Sequence, residues 1–210
     1  MRIKRKTGMK GYPTIQGSTQ APHMPCIAFY KYDGSNLRWE WNKKRGWYKF
    51  GTRTRLFDFR DEDYGEAIPL FLNGLALDLE YIFKSEYRNL ESAVAFTEFW
   101  GKLSFAGKHI KGDTKFITLI DIAPYKKGII SPWDFVKIYG GLSSTAQFIY
   151  EGILSKQFID DIRNNKYPVN EGVVCKGVGK TGIWMAKIKT YQYLTKLKEM
   201  YANDWQKYWE

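Results

Sequence analysis

Residues 27–50 of the chain run IAFYKYDGSNLRWEWNKKRGWYKF. Ile27 to Tyr32 is a short, mostly apolar run with the look of a buried strand, and Asp33-Gly34 is a turn pair. Leu37-Arg38-Trp39-Glu40-Trp41 then alternates apolar and polar, the period of a strand with one face buried. Asn42 to Gly46 is a charged turn, and Trp47 to Phe50 returns as the second arm of a hairpin. Working outward, Ala93–Trp100, Lys115–Ile122, Gln147–Tyr150, Gly172–Cys175 and Ile183–Ile188 have the same character. From Tyr64 to Phe83 the spacing of Ile68, Phe71, Leu72, Leu75, Leu79 and Ile82 predicts one helix with a single core-facing stripe. Ser131-Pro132 and Ser155 each open a shorter helix. Thr190–Trp209 forms a last helix, with Leu194, Leu197, Tyr201, Trp205 and Tyr208 along one face. Strands outnumber helices and do not alternate strictly with them, so the expected fold is α+β, with mixed, mostly antiparallel sheets and flanking helices.

The chain has 210 residues, 44% of them hydrophobic and 17% aromatic, which is ample material for a packed core and excludes disorder for its bulk. Its longest apolar stretch, Ile68–Phe83, is interrupted by Asn73, Asp78 and Glu80, so no membrane span is expected. Met1–Lys10 is basic with no apolar run behind it, and no secretory signal is expected. No repeat or linker divides the sequence. One domain is expected over residues 1–210, with a polar N-terminal arm at 1–26 and the C-terminal helix at 190–209. The 21 residues after Lys189 are enough for one helix, so no appended OB or other C-terminal domain is expected. Two cysteines, Cys26 and Cys175, and no glycosylation sequon point to a reducing cytoplasm. The 33 Lys and Arg against 22 Asp and Glu leave a net charge of +11, which suits a polyphosphate or nucleic-acid partner.

Lys31 follows an apolar strand and sits beside a turn, so a rigid element would present it as a candidate nucleophile. A free lysine titrates near 10.4, so such chemistry needs desolvation, neighbouring cations or a metal. Far downstream lie Glu171-Gly172-Val173-Val174-Cys175-Lys176 and then Trp184-Met185-Ala186-Lys187-Ile188-Lys189. Lys187 and Lys189 are two apart on a strand and therefore share a face, where they would repel each other unless an anion lay between them. The plain alternatives are a surface turn and a solvated strand face. The joint presence of Lys31, Glu171 and the lysine pair favours a site.

With these elements the sequence resembles the covalent nucleotidyltransferase superfamily of ATP-dependent DNA ligases, RNA ligases and GTP-dependent capping enzymes. It looks closest to the phage-type RNA ligases, over about Ala28 to Lys198. The resemblance implies the nucleotidyltransferase (ATP-grasp-like) domain of ligases. It makes Lys31, in Lys31-Tyr32-Asp33-Gly34, the residue that attacks the α-phosphate of ATP to give lysyl-AMP, with Asp33 and Gly34 beside the nucleotide. Gly51-Thr52-Arg53-Thr54-Arg55 matches the next element, whose arginine contacts the nucleotide and the substrate's 5′-phosphate. Its spacing from Lys31 favours Arg53, and Arg55 stays open. Glu98 matches the glutamate that binds the ribose. Many relatives place an aromatic ring just before an aspartate to face the adenine; here Ile120 precedes Asp121. Glu171 matches the glutamate that holds the catalytic metal, Mg2+ or Mn2+, with Asp33 as a second metal residue. Lys187 and Lys189 match the pair that grips the α-phosphate.

The implied activity is ATP-dependent joining of RNA 3′-hydroxyl and 5′-phosphate ends, in the host cytoplasm if phage-encoded. A DNA or mixed-substrate nick ligase is the alternative, and a non-catalytic basic RNA-binding module is the alternative of another class. No membrane or protein partner is implied. Gly179-Lys180-Thr181 lacks the first glycine of a P-loop, since position 174 is valine. His23 and His109 show no metal-ligand spacing with the cysteines. Cys175 is expected in the core, as are most of Trp39, Trp41 and Trp47.

Overall fold

The computed structural model describes residues 11–208, which pack as two compact units. In the described residues the first comprises 11–13, 33–130 and 134–145, and the second 14–32, 131–133 and 146–208.

The second unit holds β1 (Gln16–Gly17), β2 (Pro25–Tyr30), β8 (Phe148–Ile153), β9 (Gly172–Gly179) and β10 (Gly182–Lys189). The first holds β3 (Gly34–Asn42), β4 (Gly46–Thr52), β5 (Leu56–Phe57), β6 (Ser92–Gly101) and β7 (Lys115–Pro124). The first unit's sheet has the order β5-β4-β3-β6-β7, antiparallel throughout. The alternation in β3 does what period two requires: Leu37, Trp39 and Trp41 are buried with Ala95, Thr97 and Phe99 of β6. Trp39 stacks on Phe71 at 4.1 Å and 3°, and Trp41 meets Phe83 at 5.2 Å. Trp47 packs edge-on against Phe71, so all three tryptophans serve the core. Trp39 also donates its indole N–H to Thr97 Oγ1 at 2.8 Å, which removes the cost of burying it. The register leaves Asn36, Arg38, Phe96, Glu98, Thr118 and Asp121 on the opposite face.

The helix expected over Tyr64–Phe83 is two, α1 (Ala67–Gly74) and α2 (Ala76–Glu86). The break falls beside Gly74, a poor helix former, and Leu75 adopts φ −119°. The stripe survives it, because Ile68, Phe71, Leu75, Leu79 and Phe83 are all buried. The next helix, α3 (Pro132–Tyr139), starts on the proline as expected.

The second unit's sheet has the order β1-β10-β9-β2-β8, antiparallel except for β1 on β10. One face carries Cys26, Ala28, Val173, Cys175, Ala186 and Ile188, packed with Phe158 and Ile162 of α4 (Lys156–Arg163). Both cysteines are buried free thiols. Ser155 caps α4, accepting from Phe158 N–H at 3.1 Å. The N-terminal arm differs from the expected polar tail. Residues 1–10 lie outside those described, Gln16–Gly17 adds a parallel strand, and Pro25-Cys26 already belongs to β2. The last helix is also shorter: α5 (Tyr191–Tyr201) buries Leu194 and Leu197, then breaks at Ala202 with φ +43° into a 3-10 segment over Ala202–Tyr208. Trp209 lies outside the described residues. No helix among the described residues is long and apolar enough to cross a membrane.

Trp39 is fully buried among three other rings. Trp39→Ala is expected to cost about 3–5 kcal/mol. Urea unfolding checks this, and a loss below about 1 kcal/mol would contradict the packing described.

Candidate active site

In the second unit, β2 ends at Tyr30 and Lys31 N–H donates to Gly172 O at 3.0 Å, which fixes the lysine's main chain on the start of β9. Lys31 Nζ lies 2.9 Å from Glu171 Oε1, and Lys189 Nζ reaches the same oxygen at 3.2 Å. The Glu171 side chain is 4% exposed, Lys189 8% and Lys31 20%, so the trio is largely withdrawn from water with Lys31 the most open member.

Two features bring these groups together. Register pairs Gly172 with Lys189, and a Cβ built on Gly172 (φ +146°) would lie 1.9 Å from Ile188 O, so only glycine permits this approach. Thr190 then ties the strand ends: its N–H donates to Glu171 O at 3.0 Å, its hydroxyl donates to Asn170 O at 2.8 Å, and the same hydroxyl caps α5 by accepting from Tyr193 N–H. Lys189 Nζ also stands 5.0 Å over the Tyr193 ring. Ala186 and Ile188 point into the core, so Lys187 and Lys189 share the other face, as their spacing predicts.

That face holds one lysine the sequence reading passed over. Lys176 is 3% exposed, with its Nζ 4.9 Å over the Phe29 ring. Its signal was available: it lies four residues after Gly172 on one strand and therefore on the same side as Val174, which pairs with Lys187. Gly179-Lys180-Thr181 forms the β9–β10 hairpin turn, not a phosphate loop at a helix start.

In the first unit, Asp33 accepts from the Ala106 and Gly107 N–H groups at 2.9 and 3.0 Å, one to each carboxylate oxygen. Its visible work is to hold the loop after β6. Gly34 pairs with Trp100, and a Cβ there would lie 2.2 Å from Phe99 O. Glu98 is half-buried on β6 between Asn36 and Thr118. A register shift between Phe96 and Thr97 sets Leu119 opposite Thr97 and Asp121 opposite Phe96, with Ile120 between them at the irregularity.

The two arginines separate clearly. Arg55 forks onto Asp61 and Asp63 and stands over the Tyr64 ring, and the hydrogen bond to Asp61 holds its guanidinium above its ordinary range and Asp61 below the carboxylate range. Arg53 is exposed and makes no ion pair among the described residues. Tyr12 had no sequence signal, since the tertiary fold alone brings it here. Its hydroxyl donates to Asp121, its ring lies 5.0 Å from Phe96, and it is near enough to Glu98 and Arg53 to feel both charges. Burial, then the Asp121 carboxylate, pushes the phenol well above its ordinary range.

A metal ion has one fitting feature. Glu171 Oε2 is buried without a hydrogen-bond partner, while Oε1 takes both lysines. The described residues contain no group of three or more His, Cys, Asp or Glu placed to hold a metal. Glu171 can therefore offer one carboxylate oxygen, which suits Mg2+ or Mn2+ ligated mainly by phosphate oxygens and water.

No family model and no curated protein matches the chain. Solved structures do. A Naegleria gruberi RNA ligase with PPi matches with a TM-score of 0.64 and 15% identity, over 91% of this chain and 58% of that one. A chain named as an ATP-dependent DNA ligase from Aquifex aeolicus matches with a TM-score of 0.63 and 18% identity, over 94% and 55%. A variant of the Naegleria RNA ligase with AMP and Mn gives 0.62 and 15%, over 90% and 58%. The fold is that of these ligases. This chain spans little more than half the length of the chains it matches.

Gly172→Ala tests the strand geometry. Steric contact with Ile188 O and a strained φ are expected to cost at least about 2 kcal/mol, read as a lowered urea midpoint. An unchanged midpoint would mean that the close approach does not matter to the fold.

Proposed function

We propose that this chain is an ATP-dependent polynucleotide ligase that joins RNA 3′-hydroxyl and 5′-phosphate ends through a lysyl-AMP on Lys31, and that residues 1–210 make up one nucleotidyltransferase domain. One observation carries the reading: in a chain with the ligase fold, the lysine at the strand-end turn meets a buried glutamate at 2.9 Å, and that glutamate's same oxygen also takes Lys189. The phage-type assignment rests on the sequence resemblance. The two free buried thiols fit a reducing cytoplasm.

In this reading the Lys31 ammonium gives up a proton to solvent, and the nitrogen lone pair attacks the α-phosphorus of ATP. A P–N bond forms as the bond to the bridging oxygen breaks, and pyrophosphate leaves with that electron pair. An oxygen of the substrate 5′-phosphate then attacks the AMP phosphorus, the P–N bond breaks, and the lysine nitrogen takes a proton. Finally a 3′-hydroxyl loses its proton to solvent and attacks the activated 5′-phosphorus, AMP leaves, and the strand is sealed. Lys187 and Lys189 stabilise charge on the transferring phosphoryl group, where preorganised cations are most effective. Glu171 first holds the Lys31 ammonium in place, and its buried Oε2 would hold the divalent ion, which when bound neutralises phosphate charge. Gly34, Glu98, Ile120 and Asp121 are assigned to the nucleotide and Arg53 to its phosphates, since Arg55 is committed to Asp61 and Asp63. The two hydrogen bonds it accepts from backbone N–H groups give Asp33 a positioning role alongside any service to the metal.

The DNA reading keeps one supporting observation, the likeness to the Aquifex aeolicus chain. Nicked RNA and nicked DNA, offered separately to adenylated protein, decide between them.

The intact mass of the protein, with and without ATP and magnesium, is the deciding measurement. Wild type is expected to gain one AMP that pyrophosphate removes, Lys31→Ala to gain none, and Lys187→Ala or Glu171→Ala to form the adduct roughly 10²–10³-fold more slowly. An adduct on Lys31→Ala at the normal rate, or none on wild type, overturns the assignment. In the second case a basic RNA-binding module is the better account. The arginines give a separate check: Arg53→Ala is expected to slow sealing at least about tenfold, as loss of one charge-assisted contact would. Arg55→Ala is expected to lower the urea midpoint. The reverse pattern would exchange their roles.

A further inference from the structure

The loop after β6 folds back onto the turn that follows the nucleophile. Phe105 and Lys108 exchange backbone hydrogen bonds at 3.2 and 3.0 Å, closing a hairpin whose two central residues, Ala106 and Gly107, have φ of +50° and +74°. That left-handed pair aims two successive N–H groups at Asp33. The next residue but one, His109, places Nε2 2.9 Å from Ser35 Oγ and Nδ1 3.3 Å from Ser104 Oγ. Its ring lies 4.8 Å from Phe99 and edge-on to Tyr64 at 6.1 Å. Tyr64 also donates its hydroxyl to Ser35 Oγ at 3.4 Å, and Gly101 N–H donates to Ser104 Oγ at 2.8 Å. A consistent pattern has Ser104 donating to Nδ1 and Nε2–H donating to Ser35.

A serine beside a histidine raises the question of a nucleophilic pair. That chemistry needs a third group to orient the imidazole, and here the second ring nitrogen meets the Ser104 hydroxyl instead of a carboxylate. A metal role is no better supported, since no set of three potential ligands occurs among the described residues. What the contacts do accomplish is to fix Asp33, Gly34 and Ser35 from one side.

We propose that His109 is a positioning residue for adenylation, clamping the Asp33-Gly34-Ser35 turn through Ser35 and so restricting where Lys31, two residues before that turn, can place its amine. This rests on the ligase reading. The neutral ring the pattern needs is favoured by burial and then by Lys115, both of which lower the histidine's proton affinity, against the opposing pull of Asp33, Asp63 and Asp113. Reaction geometry is the sensitive quantity, because misplacement by about 1 Å can cost 10²-fold in rate.

The test compares wild type with His109→Leu, His109→Gln, Ser35→Ala and the Leu/Ala double variant, by single-turnover formation of the AMP adduct across ATP concentrations and by urea unfolding. His109→Leu is expected to lower the rate at saturating ATP ten- to hundredfold, with the half-saturating ATP concentration changed less than threefold. His109→Gln, which keeps a donor for Ser35, should recover most of that loss. Ser35→Ala should slow the step comparably, and the double variant should be no slower than the worse single one. A wild-type rate for His109→Leu overturns the proposal. So does a defect confined to the ATP concentration dependence, or a loss that Gln does not rescue and that follows the unfolded fraction. If His109→Leu does not fold, Ser35→Ala decides, and a wild-type rate for it overturns the proposal equally. If wild type forms no adduct at all, it is the ligase reading that has failed, and this inference goes with it.

Discussion

Two ammonium groups share one oxygen of a carboxylate that is 4% exposed, and the second unit is built to make that tolerable. Withdrawing ions from water costs several kcal/mol each, and the attraction between them repays it only when the geometry is good. The glycine at 172 lets the strands close to that geometry, and Thr190 ties their ends. Lys176 and Lys187 lie on the same side of the sheet, whose other face is the apolar core around Cys175 and Ile188. A face that gathers several lysines is a poor place for a neutral ligand and a good one for a polyphosphate.

The first unit treats its sheet differently. One face is given to packing, with Trp39 and Trp41 against α1 and α2, and the other carries mixed charge in which Tyr12 and Asp121 satisfy each other. Arg55, which sequence spacing leaves as a rival to Arg53, is spent on bracing the acidic turn at Asp61 and Asp63. Division of labour between neighbouring like residues is a tertiary property, and spacing along the chain cannot reveal it.

This marks the border of what the sequence made legible. Period-two alternation placed the lysine pair of β10 on one side and the tryptophans of β3 in the core, because side-chain direction in a strand is local physics. The Ser155 cap was legible for the same reason. The helix break at Gly74 was signalled only by a residue whose cost, about 1 kcal/mol, tertiary packing often outweighs, and the unbroken apolar stripe argued the other way. Gln16–Gly17 joins a sheet through backbone hydrogen bonds that no side-chain pattern encodes, and Tyr12 is buried by a fold-back of the arm. The Glu171–Lys31 contact spans 140 positions; the resemblance to a family brought the two residues into one argument, and the geometry supplies the distance.

The position of Lys31 in the chain links these observations. Residues 14–32 belong to the second unit and 33–130 to the first, so the main chain passes from one to the other immediately after Tyr32. Lys31 is anchored through its own N–H to Gly172 and through its ammonium to Glu171, while Asp33 is anchored through its carboxylate to two amides of a hairpin near residue 106. A single residue separates the two sets of anchors. Lysine has four rotatable side-chain bonds and would otherwise sweep a wide volume, at an entropic cost approaching 2 kcal/mol to immobilise. Fixing its backbone through the N–H to Gly172 and its head group by an ion pair meets that cost within the second unit. Lys31 is thus held by its own unit, at Gly172 and Glu171, one residue before the chain enters the other.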